Sequence, residues 1–385
     1  MDQVFTGARI FDGTRIFEYA AVRVVDGRVA EVGPERILGD GGHGARVELD
    51  GGILAPGFVD LQVNGGGGVM LGADPGIEEI RTICAAHGRL GTAGLLPTLI
   101  TDTPELTRAV IEAGVAAAEA GVPGFLGLHL EGPHIDARRK GAHDPALIRP
   151  MEAEDLAMLL DAAARLPALL LTVAPESVTP AQVAALAAAG AVVSLGHSDT
   201  DAEGARAAFR AGARMVTHLF NAMSPLGHRA PGLVGAALDS GETFVGLIAD
   251  GAHVAPEVMR VALAGKRGDD LMCLVTDAMA VAGTGMTEFT LGNRRILRRD
   301  GRLTLEDGTL AGADCDMARG LRVLVGDVGL EEVEALKMAT CVPAAAIGLA
   351  GRRGCLIPGA PADLVHLGDG MDLRRVWRAG EPLDG

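Results

Sequence analysis

Aromatic residues are scarce in this chain of 385 residues: they make up 3% of it and include one tryptophan and one tyrosine. Hydrophobic residues nevertheless account for 48%, so a sizeable core must be built from Ala, Val, Leu, Ile and Met. Charged residues account for 22%, a balance that excludes an intrinsically disordered chain. At this length we expect one large domain and a smaller one.

Basic charge, paired cysteines and long apolar runs are lacking as well. The formal net charge of −16 argues against nucleic acid or an anionic membrane as the main partner. The five cysteines form no Cys-x-x-Cys pair, which favours a reducing compartment. The sequence shows no basic-plus-apolar leader and no uninterrupted apolar run of roughly 18 residues. We therefore expect a cytoplasmic protein that binds neither membrane nor nucleic acid.

The middle of the chain alternates apolar strand candidates with alanine-rich helical stretches. The strand candidates lie at 57–63, 94–100, 124–130, 168–174, 191–196, 213–218, 244–249 and 271–276. The helical stretches lie at 75–90, 104–120, 152–165, 180–189, 200–211, 255–265 and 316–348, with a short helix candidate at 231–239. Eight strand-and-helix units predict an α/β protein with a (β/α)8 TIM barrel over residues 54–350.

Short strands with tight turns occupy both ends of the chain. Asp12-Gly13 and Asp26-Gly27 are hairpin signals near the start, and 362–367 has a strand pattern near the end. Residues 1–53 and 351–385 therefore predict one small β domain assembled from both termini. A further hairpin is predicted around Asp300-Gly301, within an insertion that interrupts the barrel pattern.

The first barrel strand carries three polar residues on one face. Because side chains alternate along a strand, Asp60, Gln62 and Asn64 share a face, and four glycines follow. Three polar side chains in an otherwise apolar strand are costly to bury unless that face borders a polar cavity. We therefore expect this strand to line a functional cavity.

Residues capable of chemistry collect where the predicted strands end. Glu131, His197, His218 and Asp277 follow strands three, five, six and eight. The active site of such a barrel lies at the carboxyl ends of its strands, so this asymmetry predicts an enzyme. Glu131, His197 and His218 together suit a divalent transition metal, although each alone is equally typical of a hydrogen-bonded polar residue near the core. Asp277 is a candidate general base, with a metal ligand or a helix N-cap as alternatives.

Two basic segments leave their roles open. Arg229 precedes Pro231, a favourable first helical residue, so it is a candidate anion-binding residue beside a helix N-terminus. A solvated surface arginine fits the same spacing equally well. The run Arg138, Arg139 and Lys140 is more typical of a solvated face than of a site.

Several motifs together identify a resemblance that spans nearly the whole chain. They are Pro56-Gly57-Phe58-Val59-Asp60, His129-Leu130-Glu131-Gly132-Pro133, Lys140-Gly141-Ala142-His143, Gly196-His197-Ser198, Thr217-His218-Leu219-Phe220-Asn221-Ala222-Met223, Ala249-Asp250-Gly251-Ala252-His253, Thr276-Asp277-Ala278 and Asp307-Gly308-Thr309-Leu310-Ala311-Gly312. On these motifs the chain resembles the N-acetylglucosamine-6-phosphate deacetylase family of the amidohydrolase superfamily. The resemblance implies an amidohydrolase-type barrel with a small β-sandwich built from both termini. It implies hydrolysis of the acetamide of an amino-sugar 6-phosphate to acetate and the free amine.

The resemblance also implies roles for individual residues. It implies one divalent metal per chain, zinc by default and Fe²⁺ as the alternative, on Glu131, His197 and His218. Asp277 matches the catalytic acid and base, and His143 matches a residue near the acetyl carbonyl and the sugar. The phosphate and sugar contacts that it implies are Asn221, Ala222, Arg229 and His253. In relatives this arginine can reach across a subunit interface, so a homodimer is implied.

Two positions depart from the pattern of many relatives. Gln62 and Asn64 stand where those relatives carry His-x-His and can hold a second metal. Neutral amides bind a divalent cation far more weakly than imidazole does, so we expect a vacated second site whose amides bind water or neighbouring polar groups. Ala230 stands where many relatives have glutamate, a change expected to alter loop anchoring rather than phosphate binding.

Three alternatives to this function remain at the level of sequence. One is deacetylation of N-acetylgalactosamine 6-phosphate, since sequence reasoning does not separate the two sugar epimers. Another is hydrolysis of a different N-acyl substrate, such as an acyl amino acid. A remote third is a barrel kept as a non-catalytic binding protein, which the presence of Glu131, His197, His218 and Asp277 disfavours.

Overall fold

Eight parallel strands form the centre of the computed structural model, which describes residues 2–39, 44–292 and 294–383. Barrel strands one to eight are Phe58–Val63, Thr92–Ile100, Leu128–Glu131, Leu169–Val173, Val192–Leu195, Met215–Val216, Phe244–Ile248 and Met272–Val275. They pair in chain order. Just past strand eight, the Asp277 N–H donates to the Gln62 carbonyl at 3.0 Å, which links the last strand to the first. The predicted (β/α)8 barrel is confirmed.

Helices follow the barrel strands and cover them. The longer ones are Ile77–Arg89, Pro104–Glu119, Ala153–Arg165, Pro180–Ala188, Ala202–Arg210, Gly232–Asp239 and Pro256–Gly265, with short helices at Glu35–Leu38 and Ala137–Arg139. Their starts are capped by the chain itself: the Thr103 side chain accepts from the Leu106 N–H, and Thr179 forms a capping box with Gln182. Aliphatic side chains such as Ile80 and Leu186 are fully buried between the layers, each contributing roughly 1.5–3 kcal/mol.

Two predicted elements are shorter or more broken than their patterns indicated. The stretch predicted as helical at 316–348 is divided into Met317–Arg322, the π-helical turn Val323–Val328, Glu332–Ala339 and Cys341–Ala346. The left-handed backbone of Gly329 (φ 78°) interrupts it. Strand three begins at Leu128, just after Gly127, whose φ is 143° and whose Cβ, if present, would lie 2.1 Å from the Ala168 carbonyl oxygen.

Strands from both termini form two sheets below the barrel. One contains Arg28–Pro34, Ala20–Val25, Asp2–Thr6 and Ala45–Glu48, and the other contains Glu381–Pro382, Leu373–Arg378, Leu364–Leu367, Ile53–Pro56, Arg9–Phe11 and Ile16–Phe17. The rings of Phe5 and Trp377 meet edge to face at 5.3 Å between their centroids, so residues from opposite ends of the chain share one apolar core. Ile53–Pro56 belongs to this layer and leads into barrel strand one.

The insertion after strand eight is a three-stranded antiparallel sheet beside the barrel mouth. Its strands are Glu288–Leu291, Arg294–Arg299 and Arg302–Thr304, and a turn at Asp300-Gly301 joins the last two, as predicted. Phe289 and Ile296 pack with Met279 and Val281 from the segment that follows strand eight. A small hairpin of Gly65–Gly66 and Val69–Met70 follows strand one. Across the described ranges, the longest apolar helical stretches fall short of what is needed to cross a membrane.

Candidate active site

A cavity of about 180 Å³ lies at the carboxyl ends of the barrel strands, where the sequence predicts the site. Most predicted site residues line it: Asn64, Glu131, His143, His197, His218, Asn221, Ala222, His253 and Asp277. Gln62 contacts two of them, Glu131 and Asp277, from strand one. The barrel thus brings together side chains that are separated by as many as 215 positions in the sequence.

Three donor atoms of the predicted metal ligands converge within this cavity. Glu131 Oε1 lies 3.1 Å from His218 Nε2 and 3.3 Å from His197 Nε2, and the two imidazole nitrogens are 3.1 Å apart. All three residues are buried. A carboxylate oxygen and two imidazole nitrogens pointing at one spot are the donor set that a divalent transition metal prefers. These residues therefore fit the metal that the resemblance implies.

Hydrogen bonds to the other ring nitrogens distinguish His197 from His143. His197 Nδ1 lies 2.9 Å from the Arg139 carbonyl oxygen, so it carries the proton and leaves the Nε2 lone pair for a metal. His143 Nδ1 instead accepts from the Thr101 backbone N–H at 3.2 Å, so its Nε2 carries the proton. That Nε2 lies 3.6 Å from Glu131 Oε2. His143 is therefore built as a hydrogen-bond donor, although its ligand atoms lie within 4.8 Å of those of Glu131 and His197.

The backbone is strained where the strands present these side chains. His197, His218 and Asp277 have φ values of 46°, 27° and 52°, in the left-handed region that non-glycine residues rarely adopt. Such outliers cluster at functional sites, where the surrounding structure over-determines them. Gly141, with a φ of 54°, lets the following loop approach His197: a Cβ there would lie 3.3 Å from His197 Cε1.

The pKa values of the two neighbouring carboxyl groups are shifted in opposite directions. Burial raises the pKa of Asp277 to about 6, and the negative charge of Glu131 adds to the rise. Burial acts on Glu131 as well, but the imidazoles of His143, His197 and His218 beside its carboxylate hold its pKa well below its usual range. Two neighbouring carboxyl groups thus differ in basicity, which is the arrangement expected for one ligand and one acid–base group.

The position predicted to be a vacated second metal site presents hydrogen-bond donors from Gln62 and Asn64. Asn64 Nδ2 donates to Asp277 Oδ1 at 2.6 Å. Gln62 Nε2 donates to the same oxygen at 3.2 Å and to Glu131 Oε1 at 3.0 Å. Amide nitrogens with their hydrogens have no lone pair to offer a cation, so this side of the cavity is built around a carboxylate rather than a metal.

Known proteins resemble this chain in both sequence and fold. The sequence pattern of the amidohydrolase family matches residues 53–383. The chain belongs to the amidohydrolase family. An N-acetylgalactosamine-6-phosphate deacetylase from Shewanella sp. (strain ANA-3) is 39% identical over 98% of this chain and 95% of its own. The human N-acetylglucosamine-6-phosphate deacetylase is 36% identical over 98% and 94%. The solved N-acetylglucosamine-6-phosphate deacetylase from Pasteurella multocida is 31% identical, with a TM-score of 0.94 over 100% of both chains.

Arg229 is the one predicted substrate residue that lies outside the cavity of this amidohydrolase. It is exposed and borders a separate cavity of about 550 Å³, together with Asp199 and Thr200. Asn221 lies at the edge of the main cavity, and its side-chain amide donates to the carbonyl of Leu219 at 3.1 Å. A single chain therefore does not bring Arg229 into the cavity that contains Asp277.

The basic run of Arg138, Arg139 and Lys140 combines features of a solvated face with a contact to the site. Arg138 is 61% exposed and Arg139 pairs with Asp199 at 2.7 Å, as expected of a solvated face. The Arg139 main-chain carbonyl, however, is the group that fixes the protonated nitrogen of His197. The loop thus acts on the site through its backbone, which the residue types do not indicate.

Sequence reasoning missed several residues that shape the site. Asp250 Oδ2 lies 2.7 Å from His253 Nδ1, and Asp250 Oδ1 accepts the backbone N–H of His253 at 2.8 Å, so Asp250 orients that ring. Its position three residues before His253 at a strand end was an available signal. Thr101 orients His143 and has no such signal. Leu291 and Leu310 reach the cavity from the insertion, which lies far away in sequence.

Proposed function

We propose that this amidohydrolase hydrolyses the acetamide of N-acetyl-D-glucosamine 6-phosphate to D-glucosamine 6-phosphate and acetate, in amino-sugar catabolism. The observation that carries the proposal is the half-buried Asp277 carboxylate beside the converging atoms of Glu131, His197 and His218 in one cavity. The human and Pasteurella multocida relatives, both named N-acetylglucosamine-6-phosphate deacetylases, support this substrate.

The proposed cofactor is one divalent metal per chain, Zn²⁺ by default and Fe²⁺ as the alternative. Glu131 Oε1, His197 Nε2 and His218 Nε2 would hold it, since their distances of 3.1–3.3 Å suit ligands of a single cation. When bound, such a cation supplies a Lewis acid that polarises the acetyl carbonyl and makes water a better nucleophile.

The proposed chemistry places proton transfer on Asp277. Its carboxylate takes a proton from the water whose oxygen attacks the acetyl carbon. It then gives that proton to the amine nitrogen as the carbon–nitrogen bond breaks, so the products are acetate and the free amine. A pKa of about 6 suits a group that must both accept and return a proton near neutral pH. The Nε2–H of His143 donates to the carbonyl oxygen as negative charge develops there.

The remaining predicted residues are proposed to hold the sugar and the phosphate. Asn221, Ala222 and His253 border the cavity and would contact the sugar. Arg229 lies outside the cavity on an exposed loop, in which Leu226 is 52% exposed. We propose that the protein is a homodimer in which Arg229 reaches the phosphate of the neighbouring subunit. A bound phosphate remote from the scissile bond would orient the acetamide for attack.

A second candidate substrate is N-acetyl-D-galactosamine 6-phosphate. The observation that favours it is the relative from Shewanella sp. (strain ANA-3), named for that activity and 39% identical. The chemistry at Asp277 is the same for both epimers, because they differ at a sugar hydroxyl rather than at the acetamide.

The setting of the protein is also part of the proposal. We propose a cytoplasmic enzyme, because its five cysteines are all free thiols. The net charge of −16 supports a small-molecule substrate and disfavours nucleic acid and membrane partners. Residues 1–53 and 351–385 are proposed to form a small domain that supports the barrel of residues 54–350.

Acetate release tests the proposal directly. The metal-loaded protein is assayed with both hexosamine phosphates, with unphosphorylated N-acetylglucosamine and with an N-acetyl amino acid. We expect release from one or both phosphates, loss of activity after chelation and recovery when Zn²⁺ is restored. A preference for the amino acid, or activity that is unaffected by chelation, would overturn the proposal.

A further inference from the structure

Two buried amide side chains meet the catalytic carboxylate at a single oxygen. Asn64 Nδ2 lies 2.6 Å from Asp277 Oδ1, and Gln62 Nε2 lies 3.2 Å from the same atom. Both amide residues are 2% exposed, so water does not compete strongly for these contacts. Among the residues that the structure describes, the hydrogen bonds given to the Asp277 side chain all reach Oδ1.

The orientation of each amide follows from the charge of its neighbours. An ionised carboxylate only accepts hydrogen bonds, so the NH₂ groups of Gln62 and Asn64 must face it. Gln62 uses its second hydrogen for Glu131 Oε1, at 3.0 Å. Gln62 therefore links a proposed metal ligand to the proposed acid–base group through one nitrogen atom.

Hydrogen bonds fix the main chain of Asp277, so its side chain can move only by rotating about its own bonds. Its N–H donates to the Gln62 carbonyl at 3.0 Å, and its carbonyl accepts from the Ala313 N–H at 2.9 Å. The main chain on both sides of the carboxylate is thus fixed to strand one and to the segment after the insertion. Rotation about the side-chain bonds would still move the oxygens by more than the ~1 Å that proton transfer tolerates.

We propose that Asn64 and Gln62 are positioning residues that hold Asp277 by Oδ1 and leave Oδ2 as the oxygen that exchanges the proton. This inference rests on the proposed function of Asp277 and adds a role to the two positions where many relatives carry metal-binding histidines. The amide N–H groups of Gln62 and Asn64 hold the carboxylate in place, as the lone pairs of Glu131, His197 and His218 would hold a cation. Gln62 further fixes the distance between Asp277 and Glu131.

Two substitutions at Asn64 separate positioning from bulk. Asn64→Asp keeps the shape of the side chain but replaces the donor nitrogen by an acceptor oxygen. Asn64→Leu keeps the branched shape and removes both the hydrogen-bond donor and the acceptor. For both we expect kcat for acetate release to fall about ten- to hundredfold, the effect of losing a hydrogen bond to a charged group. KM is expected to stay within about twofold, with metal content unchanged. An unchanged kcat in Asn64→Leu, or a loss confined to KM, would overturn the proposal.

Crystal structures of the wild type and of Asn64→Leu supply a readout that does not depend on turnover. We expect the Asp277 carboxylate to rotate or to occupy two conformers in the variant, while Glu131, His197 and His218 stay in place. An unmoved Asp277 would overturn the positioning role even if kcat fell. A wild type that releases no acetate from either sugar phosphate would refute the proposed function, and the Asp277 positions in the two structures would still decide this inference.

Discussion

The two halves of the barrel mouth use opposite hydrogen-bonding chemistry. On the side of strands three, five and six, Glu131, His197 and His218 direct lone pairs at one spot. On the side of strands one and eight, Gln62 and Asn64 direct N–H groups at Asp277 Oδ1. Lone pairs that converge require a cation between them, whereas N–H groups that converge require an anion.

This difference explains how one barrel separates two tasks. In the proposed mechanism the first half, which we call the ligand half, would hold the cation that polarises the substrate. The second, the carboxylate half, would hold the base that gains and loses a proton. Histidines in the carboxylate half would place a second cation beside Asp277 and lower its pKa, because a nearby positive charge favours the ionised form. Amides in that half add no second positive charge, and although the hydrogen bond from Asn64 lowers the pKa of Asp277, burial outweighs it and raises that pKa to about 6.

The largest expected effect comes from removing the base and leaving the ligand half intact. In Asp277→Asn we expect kcat to fall by about 10³-fold or more, because an amide neither takes nor returns the proton. Metal content is expected to stay at one per chain, and binding of the sugar phosphate, measured by calorimetry, to stay within a few fold. Ordinary acetate release by this variant would remove Asp277 from the mechanism.

A smaller loss is expected at His143, which contacts Glu131 and His197 of the ligand half. His143→Phe keeps an aromatic ring but removes the Nε2–H, so kcat should fall about 10²- to 10³-fold, as for other donors to a developing oxyanion. Because the structure makes His143 a donor rather than a ligand, metal content should not change. Loss of metal from this variant would instead make His143 part of the ligand half.

Arg229 lies outside both halves, so its effect should be on binding. In Arg229→Ala we expect KM for the phosphorylated substrate to rise about ten- to hundredfold, as expected when a charged hydrogen bond is lost, with kcat nearly unchanged. The unphosphorylated sugar serves as the control and should respond little. Equal losses for the two sugars would contradict a phosphate contact.

The smallest effect is expected below the mouth, where Asp60 hydrogen-bonds to Thr276. Burial raises the pKa of Asp60 from 3.8 to about 7, against the opposing effect of that bond. The folded protein thus keeps a proton that the unfolded chain releases, so the free energy of unfolding falls as pH rises through this interval, by on the order of 4 kcal/mol.

Asp60→Asn tests that linkage, because asparagine releases no proton while its side chain keeps the same shape. Urea unfolding at pH 4 and pH 7 should show the stability of the variant, relative to the wild type, improving as the pH rises. A difference that is independent of pH would show that Asp60 is already ionised in the folded protein.

Much of the fold followed from periodicity and turn chemistry. All eight barrel strands were predicted because each is a short apolar run bounded by Gly, Pro or polar residues. The stretch at 316–348 was predicted as helical throughout because alanine and leucine favour helix, although Gly329, which ends the π-helical turn in a left-handed conformation, was an available stop signal. Strand ends were less predictable, since Gly127 shortens strand three through a close approach to Ala168.

The site was predictable in its membership and not in its hydrogen bonds. The ligand half and Asp277 were predicted to lie together because they follow the carboxyl ends of strands three, five, six and eight. Asp250 lies three residues before the His253 that it orients, whereas the role of Thr101 depends on a contact with His143, 42 positions away, which local patterns do not encode. For the same reason Gln62 and Asn64 were expected to be a vacated metal site, whereas their contact with Asp277 became visible only in three dimensions.

Titration of Zn²⁺ into metal-free protein tests the central claim, that one cation and one positioned carboxylate perform the reaction. Acetate release from the preferred hexosamine phosphate is measured after each addition, together with the metal bound per chain. We predict that activity rises in proportion to added Zn²⁺ and reaches its plateau at one equivalent per chain. Activity that keeps rising to two equivalents, or full activity without metal, would contradict the account.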